Sequence, residues 1–360
     1  MKSVVLKAIA ASILLGLGSG SLLAQSANGN SSEFNPYAPA SGHAYRHGAI
    51  PTRPVQELIH RYEAGHNARR RASNTLAYGG GTSGVGVMDN HVKVYIVYYG
   101  SGWGTQTLNA KGDDVFSNDS YGAAAVAEEM FKGIGTGNEL WSADLTQWCD
   151  GAGVAKGATS CPSTANFVPY QTGGVYAGSW YDNSAAPSAP TATDLANEAI
   201  KAAAHFGNTA QGSNRYTYYI IMSPHGSDPD NYQSPTQGYC AWHNYTTSSY
   251  GDIAYSNQPY NMDLGASCGV NFVNSGSAGY LDGWTMTLGH EWHEMMSDTY
   301  PAGGWTNHST GAENSDECAW IAAGQPGGAA NVAMGTGTFT EQASWSNDTN
   351  SCAITHAILH

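Results

Sequence analysis

Positive charge is scarce in this chain. Lys and Arg number 14 against 28 Asp and Glu, a formal net charge of −14 over 360 residues. None of the fourteen lies after Arg215, a run of 145 residues. So acidic a surface repels polyanions, which argues against a nucleic-acid partner. Charge of either sign is sparse, at 12% of residues, and Glu, Lys and Leu are too few for a coiled coil. Aromatics are not sparse: 22 Tyr and 10 Trp exclude a disordered acidic tail. After the first two dozen residues no apolar run is long enough to span a bilayer, so no membrane role is expected. Also missing are a C-x-x-C pair, a G-x-S-x-G elbow, and a P-loop or dinucleotide fingerprint in a strand-turn-helix setting.

What is present begins with an exported leader. Residues 1–24 carry Lys2 and Lys7, an apolar run interrupted by Gly16, Gly18 and Gly20, and Ala24 as a small residue for cleavage. This is the pattern of a secretory signal peptide, and it predicts a secreted, extracellular protein. The six cysteines fit that compartment: Cys149, Cys161, Cys240, Cys268, Cys318 and Cys352. Six cysteines allow about 15 pairings. The simplest joins neighbours, 149–161, 240–268 and 318–352, each bridge contributing roughly 2–4 kcal/mol.

Residues 25–80 differ in kind from the rest. Arg46, Arg53, Arg61, Arg69, Arg70 and Arg71 cluster there, around a helix expected over Val55–Arg71 and before Gly79-Gly80-Gly81. The segment reads as a pro-segment or an N-terminal extension, with an ordinary linker as the alternative. Residues 81–360 then form the main domain, with six basic against 25 acidic residues and a net charge of −19. A basic segment can dock on such a body electrostatically.

Within the main domain, His91–Tyr99 and Arg215–Met222 read as strands, rich in aromatic and β-branched residues. Tyr121–Gly133, Thr193–Phe206 and Gly283–Asp298 read as helices, the second capped by Thr193 or Asp194. The alternation predicts one α/β or α+β domain, with a mixed sheet, a site-bearing helix and long disulfide-bridged loops over one edge.

The chemistry concentrates on the last of these helices. At about 100° per residue, Trp284, Leu288, Trp292 and Met295 share one face, and His290, His293 and Glu294 lie opposite. Glu291 sits on the flank. His290 and Glu294 are one turn apart and can reach one cation. Zinc accepts both donor types, and a catalytic site uses three protein ligands plus water. The zinc-peptidase helix is H-E-x-x-H with the glutamate as general base. Here the pattern is H-E-x-x-E, so the expected pair is His290 with Glu294, and the rival pair is His290 with His293. Glu313 and Asp316, 19 and 22 residues after Glu294, are both candidates for a third ligand. An acidic loop that only caps a neighbouring helix, or binds Ca2+, is the alternative for them.

The segments GHEWHEMMSD, GGW and GAENSDECAW resemble a family of secreted bacterial proteins and, more distantly, the plant phosphate-induced or exordium-like proteins. The likeness extends to VYIVYYGSGW, SPHGSD and GYCAWH, and covers roughly residues 92–352. It implies an exported, disulfide-containing α/β domain with a zincin-like helix. It does not carry a substrate. Plant members are associated with the extracellular matrix and growth, and some look like degenerate enzymes.

His225, after a strand end, and His243, in Cys240-Ala-Trp-His243, are further candidates as transition-state donors or neighbours of the metal. Trp305 and Trp320 are candidates for a stacking cleft or for core. The expectation is a secreted zinc-dependent hydrolase, a metallopeptidase acting on protein or peptide substrates. Zinc would be held by His290, Glu294 and Glu313 or Asp316, with Glu291 as base. The rival is a non-catalytic extracellular protein that binds cell-wall polysaccharide.

Overall fold

Alternating large side chains build the middle of the sheet. In Thr217–Met222, Tyr218, Ile220 and Met222 point to one face while Tyr219 and Ile221 point to the other, and each set is buried in a different cluster. That period-two pattern, apolar on both sides, belongs to a strand covered on both faces. A computed structural model describes residues 46–66 and 73–360. The expected leader 1–24 and the triplet Arg69–Arg71 lie outside the described residues.

In chain order the main elements are β1 His47–Pro51, α1 Arg53–His66, β2 Lys93–Tyr99, α2 Ala123–Gly133, β3 Tyr176–Asp182, α3 Ala192–His205, β4 Thr217–Met222, β5 Tyr239–Ser248, β6 Gly251–Gln258 and α4 Asp282–Ser297. The six strands form one mixed sheet, ordered β1-β5-β6-β4-β2-β3. Strands β6, β4, β2 and β3 are parallel neighbours; β5 is antiparallel to β6, and β1 antiparallel to β5. Helix α3 packs Leu195, Ala199 and Ala202 on one face. Helices α2 and α4 pack Ala127, Phe131, Leu288 and Trp292 on the other. The fold is thus a mixed α/β arrangement.

The helices expected near 121–133, 193–206 and 283–298 are present within a residue or two. The cap of α3 is Thr191 rather than Thr193: its hydroxyl accepts from the Asp194 N–H while Asp194 reaches back to the Thr191 N–H, a capping box. The expected helix over 55–71 is α1; its last expected turn lies outside the described residues. The three disulfides join 149–161, 240–268 and 318–352, the neighbour pairing. Such bonds persist in an oxidising compartment. No helix among the described residues is long and apolar enough to cross a membrane.

The described residues of the N-terminal segment 25–80 pack on the body. Strand β1 lies at the sheet edge, and Ala77–Tyr78 pairs with Trp305–Thr306. Leu76 is fully buried in the larger core cluster.

Candidate metal centre

Helix α4 carries the cluster because it is held from every side. All sixteen of its residues are buried. Trp284 donates its indole N–H to the Ala123 carbonyl at 2.9 Å, and Trp292 lies on Trp141 with ring centroids 5.8 Å apart. Gly289 is needed for a close approach: a Cβ there would stand 2.2 Å from Glu341 Oε2 and 2.8 Å from the Trp141 ring. The polar face is enclosed by β1, by β5, by the 313–318 loop and by the strands around Gln342 and Ser344.

Two overlapping groups of ligand-type atoms meet on that face. His290, Glu291 and Glu294 form one; His243, Glu294 and Glu313 form the other, and within each group the atoms lie within 4.8 Å of one another. Glu294 belongs to both. His290 Nε2 is 3.1 Å from Glu294 Oε1 and 3.5 Å from Asp316 Oδ1. His243 Nε2 is 3.2 Å from Glu313 Oε2 and 3.9 Å from Glu294 Oε2. The acidic loop is tied to the helix by its backbone: the Asp316 N–H donates to Glu294 Oε1 at 3.0 Å, and the Glu313 N–H donates to Asp316 Oδ2 at 3.0 Å. Cys318, bridged to Cys352, pins the end of that loop.

The tautomer of His290 follows from its neighbours. Gln342 Nε2 donates to the Ser315 carbonyl at 2.8 Å, which turns Gln342 Oε1 toward His290 Nδ1 at 3.1 Å. Nδ1–H therefore donates to Gln342, and Nε2 faces the cluster. There it meets only acceptors: Glu294 Oε1, Asp316 Oδ1 and the Gly48 carbonyl at 3.2 Å. A lone pair cannot stand against three acceptors. The position requires a proton or a cation.

The electrostatics say the same of the acids. Burial, with Asp316 beside it, pushes Glu294 up to about 8. Burial raises Glu291 and Glu313 well above the usual carboxylate range, neighbouring carboxylates adding to it. Burial alone would lower His290, but Glu294 and Asp316 outweigh it and hold the ring well above its ordinary value. Both oxygens of Glu291, and Glu294 Oε2, are buried without a hydrogen-bond partner. Among the described residues, no Lys or Arg forms an ion pair with these carboxylates. Unpaired buried carboxylates are costly, and a divalent cation is the partner this donor set fits.

His293 is not brought to the cluster. Its ring packs tilted against Trp141, centroids 4.2 Å apart, and its Nδ1 shares a 2.7 Å hydrogen bond with Ser344 Oγ. Burial, then the nearby His290, lowers it to about 3, so it is neutral. His225 is also elsewhere: exposed, it pairs with Asp263 at 2.5 Å. His243 does join, from the middle of β5. Trp305 is core, and Trp320 donates its indole N–H to the Pro51 carbonyl at 2.7 Å.

Sequence reasoning missed Gln342, Gly48 and Tyr218. Tyr218 on β4 is fully buried near Glu291, and burial, with that carboxylate, keeps its phenol protonated well above the ordinary value. Position along β4 marked Tyr218 as core; nothing local marked the other two. Searches of protein-family models, of curated proteins and of solved structures find no match to this chain.

Proposed function

We propose that the chain is an exported, zinc-dependent hydrolase of protein or peptide substrates, with a zincin-like helix in α4. One observation carries the reading: two imidazoles and three glutamates converge in a fully buried cluster, in which both oxygens of Glu291 and Oε2 of Glu294 have no hydrogen-bond partner. Imidazole donors favour zinc over calcium, which takes oxygen alone. His290 and Glu294 would be the ligands from α4; Glu313, which groups with Glu294 and His243, would be the third, being buried where Asp316 is partly open to solvent. Asp316 positions Glu313 and the helix through its backbone bonds. Bound there, zinc would supply Lewis acidity, enough to polarise a carbonyl and lower the pKa of a water toward ~7. Glu291, unpartnered and adjacent, accepts the proton of the attacking water and passes it to the leaving amine. Export is supported by the leader pattern and the three disulfides.

The test separates metal from base. Glu291→Gln is expected to retain stoichiometric zinc and to lose at least ~10²-fold in casein or peptide hydrolysis. His290→Ala is expected to lose both zinc and activity. Purified protein without zinc, or full activity in both variants, overturns the reading in favour of a binding protein.

A further inference from the structure

Strand β1 puts main chain onto the cluster. It pairs antiparallel with β5, His47 opposite His243, Ile50 opposite Ala241 and Pro51 opposite Tyr239. The register slips between His47 and Ile50, so Gly48 is thrust toward α4. Its carbonyl oxygen stops 3.2 Å from His290 Nε2. No side chain fits there: a Cβ on Gly48 would fall 1.8 Å from Glu294 Oε2 and 2.8 Å from His243 Cδ2. The residue also sits at φ +53°, a conformation glycine adopts without strain.

The strand is fastened at both ends. Arg46 donates to Asp230 Oδ2 at 2.7 Å and to the Asp230 carbonyl at 2.8 Å, and stacks its guanidinium over Tyr239. Ile50 is buried against Cys240, Ala241 and Cys268. Beyond it, the Thr52 N–H donates to the Gly238 carbonyl at 3.0 Å. On that side β5 has no other neighbour in the sheet. A free β5 edge would present a row of unpaired N–H and C=O groups beside the cluster, the geometry that captures extended peptides by strand addition.

We infer that the β5 edge beside the cluster is a groove for an extended peptide with glycine over the cluster, and that the chain's own β1 occupies it as an inhibitory strap. The inhibitory role rests on the hydrolytic reading above; the groove does not. With β5, the 313–318 loop and the strands around Gln342 and Ser344, the strap completes the burial of the cluster. It also assigns the substrate: a strand antiparallel to β5, its glycine carbonyl set against His290 and its α-carbon against Glu294.

The groove is tested with a fluorescent peptide of residues 46–52, Arg-His-Gly-Ala-Ile-Pro-Thr, titrated into the full chain and followed by anisotropy. Arg46→Ala loosens the strap without touching the cluster, and Gly48→Ala ejects it by collision; near-UV circular dichroism verifies that each is folded. Each variant is expected to bind the peptide at least tenfold more tightly than the unaltered chain. A peptide with Ala in place of the glycine is expected to bind at least tenfold more weakly. Zinc-loaded Arg46→Ala is expected to hydrolyse peptides at least tenfold faster than the unaltered chain. Equal, weak peptide binding by a folded Arg46→Ala and the unaltered chain overturns the groove. Tight peptide binding by Arg46→Ala with no hydrolysis supports the groove and overturns the hydrolytic reading alone.

Discussion

The His293 ring packs tilted against Trp141 with ring centroids 4.2 Å apart, away from the groups that hold Glu294 and Glu313. The ring is a buried packing element, anchored by the Ser344 hydroxyl. His293→Phe is therefore expected to keep zinc at full stoichiometry. It should cost about 1–3 kcal/mol of stability, because Ser344 loses a buried partner. Metal analysis together with urea melts checks both halves. Loss of zinc would return His293 to the ligand set.

Gln342 determines which nitrogen of His290 faces the cluster. Removing its oxygen frees the ring to turn or to change tautomer. Hydrogen-bond partners of metal-bound imidazoles typically matter by 10–100-fold in affinity. Gln342→Leu is expected to weaken zinc by about that factor in a chelator competition. Gln342→Glu, which keeps an acceptor, should hold it closer to the original. Equal affinities across the series would sink this role.

Far from the cluster, on α3, burial pushes Glu198 up to about 7 from 4.5, with Asp182 opposing ionisation and Lys201 favouring it. Lys201 Nζ lies 2.8 Å from Glu198 Oε2, while Oε1 is buried without a partner. The folded state thus holds this proton more tightly than the unfolded one. Its stabilisation is complete below about pH 4.5 and is lost as pH rises through about 7. Glu198→Gln should remove that slope. The stability of the unaltered chain minus that of the variant is expected to fall by up to ~3 kcal/mol between those limits. A flat difference across the window contradicts it.

How much of this was legible beforehand depended on range along the chain. The His290–Glu294 pair is an i, i+4 relationship, set by helix geometry alone. The disulfides close local loops, so neighbour pairing found them. His293, the rival ligand, lies apart from the cluster for a physical reason. A helical wheel gives an angle but not the cover on each side, and α4 is buried all round. Its polar face divides, His290 and Glu294 toward β1 and β5, His293 toward Trp141. Gln342 and Gly48 escaped because each reaches the cluster from a distant strand, as one glutamine or glycine among many. His225 was attractive as a residue just after a strand end, yet the chain there turns to the surface.

Gly48 and His290, in contact, are separated by 242 residues of chain. During synthesis the N-terminal strand emerges first, and its place on β5 exists only after residue 243. The wall that Gly48 meets, α4 with Glu313 behind it, comes later still. Closing so long a loop carries an entropic cost that only late, cooperative packing offsets. The parallel core can therefore form before β1 docks, making docking of that strand a late event in folding. Until then the acidic residues of the last third of the chain have neither strap nor lid, and a cation could enter before the strand closes over them.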